Sequence, residues 1–123
     1  MRTALAVAAG GAFGSVLRYA ATRLAIEWGS SSTWGTFWVN VTGSLLLGLI
    51  VGMSEDRVAM SPVLRNGLTV GVMGGFTTFS TLMLDTTRQL GTGSTLAAVA
   101  NIGGSVAVGL AAMALGLLVG RSA

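Results

Sequence analysis

Thr36, Asn40 and Ser44 fall four residues apart, and Asn101, Ser105 and Gly109 repeat that spacing later in the chain. A spacing of four puts each set on one face of a helix. Between the two sets lies GGFTTFST, Gly74 to Thr81, in which Thr77, Thr78, Ser80 and Thr81 surround Phe79. All three groups stand inside long apolar stretches, where an amide or hydroxyl without a partner is costly. They must therefore face one another, water or a solute. What they offer is mainly donation: asparagine N–H, hydroxyl O–H and the positive edges of aromatic rings. Carboxylates are scarce, with Glu27, Glu55 and Asp56 in connectors and Asp85 near the end of an apolar stretch. A proton-coupled transporter or cation pump ordinarily keeps an acidic residue at mid-depth. Donors without carboxylates suit a small anion or a neutral solute, and Arg18 and the other arginines would concentrate anions at the mouths. Serine and threonine can bond back to their own helix, which is as good a reading for them as lining a path. Asn40 has no such easy local partner and is the foremost lining candidate, ahead of Ser105 and Asn101.

GGFTTFST is poor material for an uninterrupted helix. Backbone that leaves the helix at membrane depth survives only where protein or a cavity satisfies it. In broken transporter helices the freed carbonyls often coordinate a cation. The segment is therefore either a carbonyl-lined ion site, shared by two subunits if it sits on a symmetry axis, or a kink at Gly74–Gly75. The residue types leave both open.

The elements that must hold these residues follow from composition. The chain has 123 residues, 52% of them hydrophobic and 9% charged, with a mean hydropathy of +0.77. A soluble domain carries roughly 25% charged residues. No charge falls between Glu27 and Glu55, between Arg65 and Asp85, or between Arg88 and Arg121. Apolar runs of about 18 or more residues are transmembrane helices. Four spans are expected, at about 3–26, 34–53, 63–88 and 94–119, with the third interrupted near its middle. Trp34 and Trp38 anchor one end of the second at the interface. The first is too long, and lacks a cleavage site, to be a signal peptide. The connectors are short, so no soluble domain is expected. There is no cysteine and no histidine, which removes disulfides, thiolate metal sites and imidazole chemistry.

The formal net charge of +3 comes wholly from arginine. The arginines are scattered at span ends, which argues against nucleic acid. With four spans both termini lie on one side, together with Arg2, Arg57, Arg65 and Arg121, while Arg18, Arg23 and Arg88 lie on the other. Firm orientation needs a marked cytoplasmic excess of Lys and Arg. Four against three leaves two readings: termini inside with a weak bias, or dual topology with copies paired antiparallel. Glycine makes up 19 residues. Gly67, Gly71 and Gly75 recur every four residues in the third span, as do Gly10 and Gly14 in the first and Gly48 and Gly52 in the second. Such faces let helices approach closely in lipid and point to a compact bundle and an oligomer.

Three stretches together, GGAFGSVLRY (10–19), WGTFWVNVTGSLLLG (34–48) and GVMGGFTTFSTLMLD (71–85), closely resemble the Fluc/CrcB fluoride-channel family. The match runs in order through nearly the whole chain. It implies an all-α membrane protein of four transmembrane helices, an antiparallel dual-topology dimer with two narrow pores, and a structural sodium ion at its centre. Its role would be passive export of cytoplasmic fluoride, and hence fluoride resistance. By that resemblance Asn40 is the pore asparagine and Thr36 its neighbour. Phe79 is the first of two phenylalanines whose ring edges line the fluoride path, and Ser80 and Thr81 add hydroxyls. Ser105 aligns with a pore serine, and the carbonyls of Gly74 and Thr77 with the sodium ligands. Arg18 matches the arginine of the first motif, and Asp85 stands where the family commonly has glutamate. Two positions depart: Leu82 replaces the second pore phenylalanine, and Asn101 a tyrosine. This leaves a homodimer conducting with one ring per pore side, or one half of a heterodimer whose paralogous partner supplies the missing group. A four-span dual-topology drug/proton exchanger shares the size and weak charge bias, but it needs a glutamate within 3–26, where there is none. A non-transporting assembly subunit held by its glycine faces is the third alternative.

Overall fold

The computed structural model describes every residue except Arg57, and Asp56 only in its backbone; Arg57, counted above on the side of the termini, lies outside the described residues. Among those residues the chain is helical throughout, with no strand. Helix α1 spans Arg2–Glu27 and α2 Ser32–Asp56. The third span, Pro62–Gly91, is composite: α3 (Pro62–Asn66), a π-helical segment (Gly67–Met73), α4 (Gly74–Phe76), two extended residues, and α5 (Phe79–Gly91). Helix α6 covers Thr95–Ser122. Four helices, Arg2–Glu27, Ser32–Glu55, Pro62–Gly91 and Thr95–Ser122, are long and apolar enough to cross a membrane. The expected spans fall within these four, save that the last begins one residue early, at Ser94.

Local chemistry sets the boundaries. Gly29 and Gly93 take φ of +82° and +77° at the two tight turns, a backbone region that side chains with a Cβ disfavour. Ser61 caps α3 by accepting the Leu64 N–H at 3.2 Å, with Pro62 in the first turn, where its missing N–H costs nothing. Within the helices hydroxyls bond one turn back, as Thr22 does to Arg18, Thr69 to Arg65 and Thr87 to Met83. That is how several of this chain's threonines tolerate an apolar surrounding.

Packing is organised in two close pairs. Helix α2 lies along α6, and α1 along the first half of the third span. At the first crossing Gly48 and Gly52 meet Gly116 and Gly120: a Cβ on Gly120 would come 2.5 Å from the Leu49 carbonyl oxygen. At the second, Gly10 and Gly11 meet Gly71 and Gly75 while Gly14 meets the Val72 and Phe76 backbone, and a Cβ on Gly75 would come 2.5 Å from the Gly11 oxygen. The glycine faces therefore serve packing within one subunit, because only backbone against backbone fits at these separations. At one end of the bundle Glu55 ties two elements, with Arg121 at 3.2 Å and Arg65 at 3.9 Å. The interior is unlike that of a soluble domain. Its buried side chains include Thr36, Thr78, Asp85, Thr86 and Ser105, while many large apolar residues face outward.

Candidate ion pathway and helix break

The interruption of the third span falls at Thr77 and Thr78, not at the glycines. Gly74 and Gly75 are helical, and Gly75 is engaged against Gly11. Thr77 turns the chain out with φ −79° and ψ 157°, and Thr78 is fully extended at φ −150° and ψ 115°. Helix α5 restarts under a Thr78 cap, whose Oγ1 accepts the Thr81 N–H at 3.2 Å and donates to Thr81 Oγ1 at 3.0 Å.

Asn40 closes the gap from α2. Its Nδ2 donates to the Thr78 carbonyl at 2.9 Å, and its Oδ1 accepts the Thr78 N–H at 2.7 Å. A side-chain amide thus stands in for a neighbouring strand, meeting both backbone groups of the extended residue. Losing one partner would leave a buried donor or acceptor unmet, at a cost of about 1–3 kcal/mol. Asn40 is therefore engaged with protein on one edge, and it also lines a cavity of about 230 Å³ with Ser44, Thr77, Phe79 and Leu82.

Carbonyls are the other product of the break. Among the described residues no donor meets the oxygens of Gly74, Gly75, Phe76 or Thr77. Gly74 lies open on the outer surface. No group of three or more His, Cys, Asp or Glu residues clusters among the described residues; backbone and side-chain hydroxyl oxygens are what the break offers a cation. The carbonyls at Gly74 and Thr77 have the right chemistry for a hard monovalent ion: they are unpaired, and no side chain at residue 74 obstructs them.

On the other side of Thr78 a cavity of about 290 Å³ is lined by Ser15, Arg18, Thr22, Thr36, Thr78 and Thr81. Arg18 does not sit at the rim alone: its Nε is buried and without a hydrogen-bond partner. Next to this cavity Thr36 Oγ1 lies 3.1 Å from Asp85 Oδ2 and 3.0 Å from the Ser32 carbonyl. Asp85 is only 4% exposed, although residue counting put it near a span end. The arrangement joins α2 to α5 through a carboxylate well inside the bundle.

The remaining sequence candidates divide. Phe79 and Ser80 are exposed, Phe79 at 73%, and Phe79 borders the Asn40 cavity from its outer side. Leu82 is 6% exposed and forms part of the wall behind Phe79. Ser105 is buried on α6, and its Oγ has no partner. Asn101 donates to Thr86 Oγ1 at 3.0 Å, and Thr86 donates in turn to the Leu82 carbonyl at 2.8 Å. Asn101 also lines a cavity of about 560 Å³ with Trp34, Phe37, Val108 and Gln89, whose Oε1 is buried and unpaired. Sequence reasoning left Thr86 and Gln89 out. A threonine or glutamine at a span end carries no signal until its long-range neighbours are known. In the sequence Thr78 is one hydroxyl in a cluster, whereas in the structure its backbone is the centre of the site.

The whole chain has clear relatives. Residues 5–117 match the family described as CrcB-like protein, Camphor Resistance (CrcB). A protein of Nitrobacter winogradskyi named fluoride-specific ion channel FluC is 43% identical over 118 residues, covering 95% of this chain and 94% of the relative. Proteins of the same name from Maridesulfovibrio salexigens and Rhizobium meliloti are 39% and 41% identical. They cover 98% and 99% of this chain and 97% and 98% of their own lengths. On these matches, the chain belongs to the CrcB family.

Proposed function

We propose that this chain forms a fluoride-selective channel in the bacterial inner membrane, letting cytoplasmic fluoride leave down its own gradient. The observation that carries the reading is its similarity, at about 40% identity from end to end, to bacterial proteins named for that activity. The chemistry of the bundle agrees with it. Fluoride is small, hard and strongly hydrated, so a selective path must replace its water with closely spaced donors. Asn40, through its second Nδ2 proton, and Ser80, Thr81 and Ser105 are donors of that kind, and the Phe79 ring presents a positive edge. Arg18 would attract the anion into the cavity beside Thr36, and Asp85 would hold Thr36 in place. No redox or covalent step is required, and the protein acts as a conductor, not a catalyst.

The working unit in this proposal is an antiparallel dimer of two copies. The exposed Phe79, Ser80 and Gly74 support it, since this polar face at the break is unsuited to lipid. The nearly even spread of arginines supports insertion both ways up. A sodium ion would be held by the carbonyls of Gly74 and Thr77 from both copies, supplying positive charge that fastens the two breaks together. Leu82 and Asn101, the departures from the family pattern, leave Phe79 as the break's one outward ring.

The test is efflux from liposomes holding the purified chain alone, followed with a fluoride electrode. Fluoride should escape and chloride should not. No fluoride release would overturn the self-sufficient homodimer, and release only after a second family member is added would identify a heterodimer.

A further inference from the structure

Two N–H groups near the break have been diverted from the helix, and each diversion frees one of the two carbonyls assigned above to the cation. In a continuous helix the Thr78 N–H would bond to Gly74 O and the Thr81 N–H to Thr77 O. Here the Thr78 N–H goes instead to Asn40 Oδ1 at 2.7 Å. The Thr81 N–H goes to Thr78 Oγ1 at 3.2 Å. Asn40 secures its half twice, because its Nδ2 also holds the Thr78 carbonyl at 2.9 Å. The orientation of its amide is fixed, since only the oxygen can receive an N–H and only the nitrogen can donate to a carbonyl. Each carbonyl is thus left open by one identifiable side-chain acceptor.

We propose that Asn40 and the Thr78 hydroxyl are the positioning residues of the break: each captures the N–H that would otherwise close Gly74 O or Thr77 O, and so keeps those oxygens available to a cation. Asn40 therefore acts on the centre of the molecule as well as on the anion path. Part of what its loss does to conduction passes through the backbone. The consequence for the cation rests on the sodium reading given above. The bonding itself does not.

Two readouts test it on the purified full chain. The first is the sodium concentration at half-maximal thermal stabilisation. The second, in sodium-free buffer, is the isotope-edited infrared band of a carbonyl labelled at Gly74 or at Thr77. N40A should raise the sodium midpoint at least tenfold and lower the frequency of the Gly74 band, as its oxygen regains a donor. T78V should raise the midpoint and lower the Thr77 band. N40D keeps an acceptor for the Thr78 N–H, so it should retain the Gly74 band of the unaltered chain while losing fluoride flux. S105A, which alters a hydroxyl away from the break, should leave both readouts unchanged. The proposal is overturned if N40A abolishes flux with the sodium midpoint and the Gly74 band both unmoved, because Asn40 would then act on the anion alone. If the unaltered chain shows no response to sodium, the cation reading falls, and the Gly74 band by itself decides the role of Asn40.

Discussion

Thr36 has one hydroxyl proton and two acceptors, the Ser32 carbonyl and Asp85. Replacing it with valine keeps the shape and removes the only described donor to a carboxylate that is 4% exposed. Hydrogen bonds between membrane helices contribute about 0.6 kcal/mol on average and up to about 1.7. Thr36→Val should lie toward the upper end, near 1.5 kcal/mol, measured as a shift in reversible unfolding in detergent, with slower fluoride efflux from the same preparation. An unchanged unfolding midpoint would mean that Asp85 has found another donor. Residue identities gave partial warning of this site. Asn40 was legible because a carboxamide in an apolar run has few local ways to be satisfied. The burial of Asp85 was not, because its partner lies 49 residues away in sequence, and position along a span says little about depth inside a bundle.

Among the elements, the four spans could be read from charge-free length alone, since lipid allows few other structures for such segments. The break could be foreseen but not placed. Gly74 and Gly75 look like helix breakers, yet Gly75 is needed for contact with Gly11. The position is decided by an asparagine on another helix, and no window around residue 78 contains that information. The glycine contacts carry their own test. Gly116→Val would drive a branched side chain into the Leu45 and Leu49 backbone, with no flexible neighbour to yield. Overpacking of this kind costs about 1–3 kcal/mol or more. The variant should fail to give a monodisperse peak on size exclusion. Gly91→Ala is the contrast. Its Cβ would meet nothing within 4 Å, and alanine in a helix should add up to about 1 kcal/mol. Loss of stability there would show that the end of α5 is covered in the assembly.

For the whole molecule, orientation is the property most open to experiment. Changing Ser30 and Ser31, in the connector between α1 and α2, to lysine would add charge on the side of Arg18, Arg23 and Arg88. The inserted population should then shift toward one orientation, seen by labelling single cysteines from each side of the membrane. Fluoride release from cells should fall with it. Co-expression with a copy carrying two added lysines near the opposite ends should restore it. Full activity from a population fixed one way up would remove the antiparallel arrangement.

The outward face of the break also bears on how the protein is made. A newly inserted copy carries four carbonyl oxygens, at Gly74, Gly75, Phe76 and Thr77, without donors among the described residues, beside an uncovered Phe79 and Ser80. Where such a group faces hydrocarbon, as at the exposed Gly74, it is a standing penalty of several kcal/mol. On the dimer proposed above, a solitary copy would be a short-lived species, drawn either to another copy or to the membrane proteases. Cellular abundance should then rise more steeply than in proportion to synthesis, because survival depends on the rate at which copies meet.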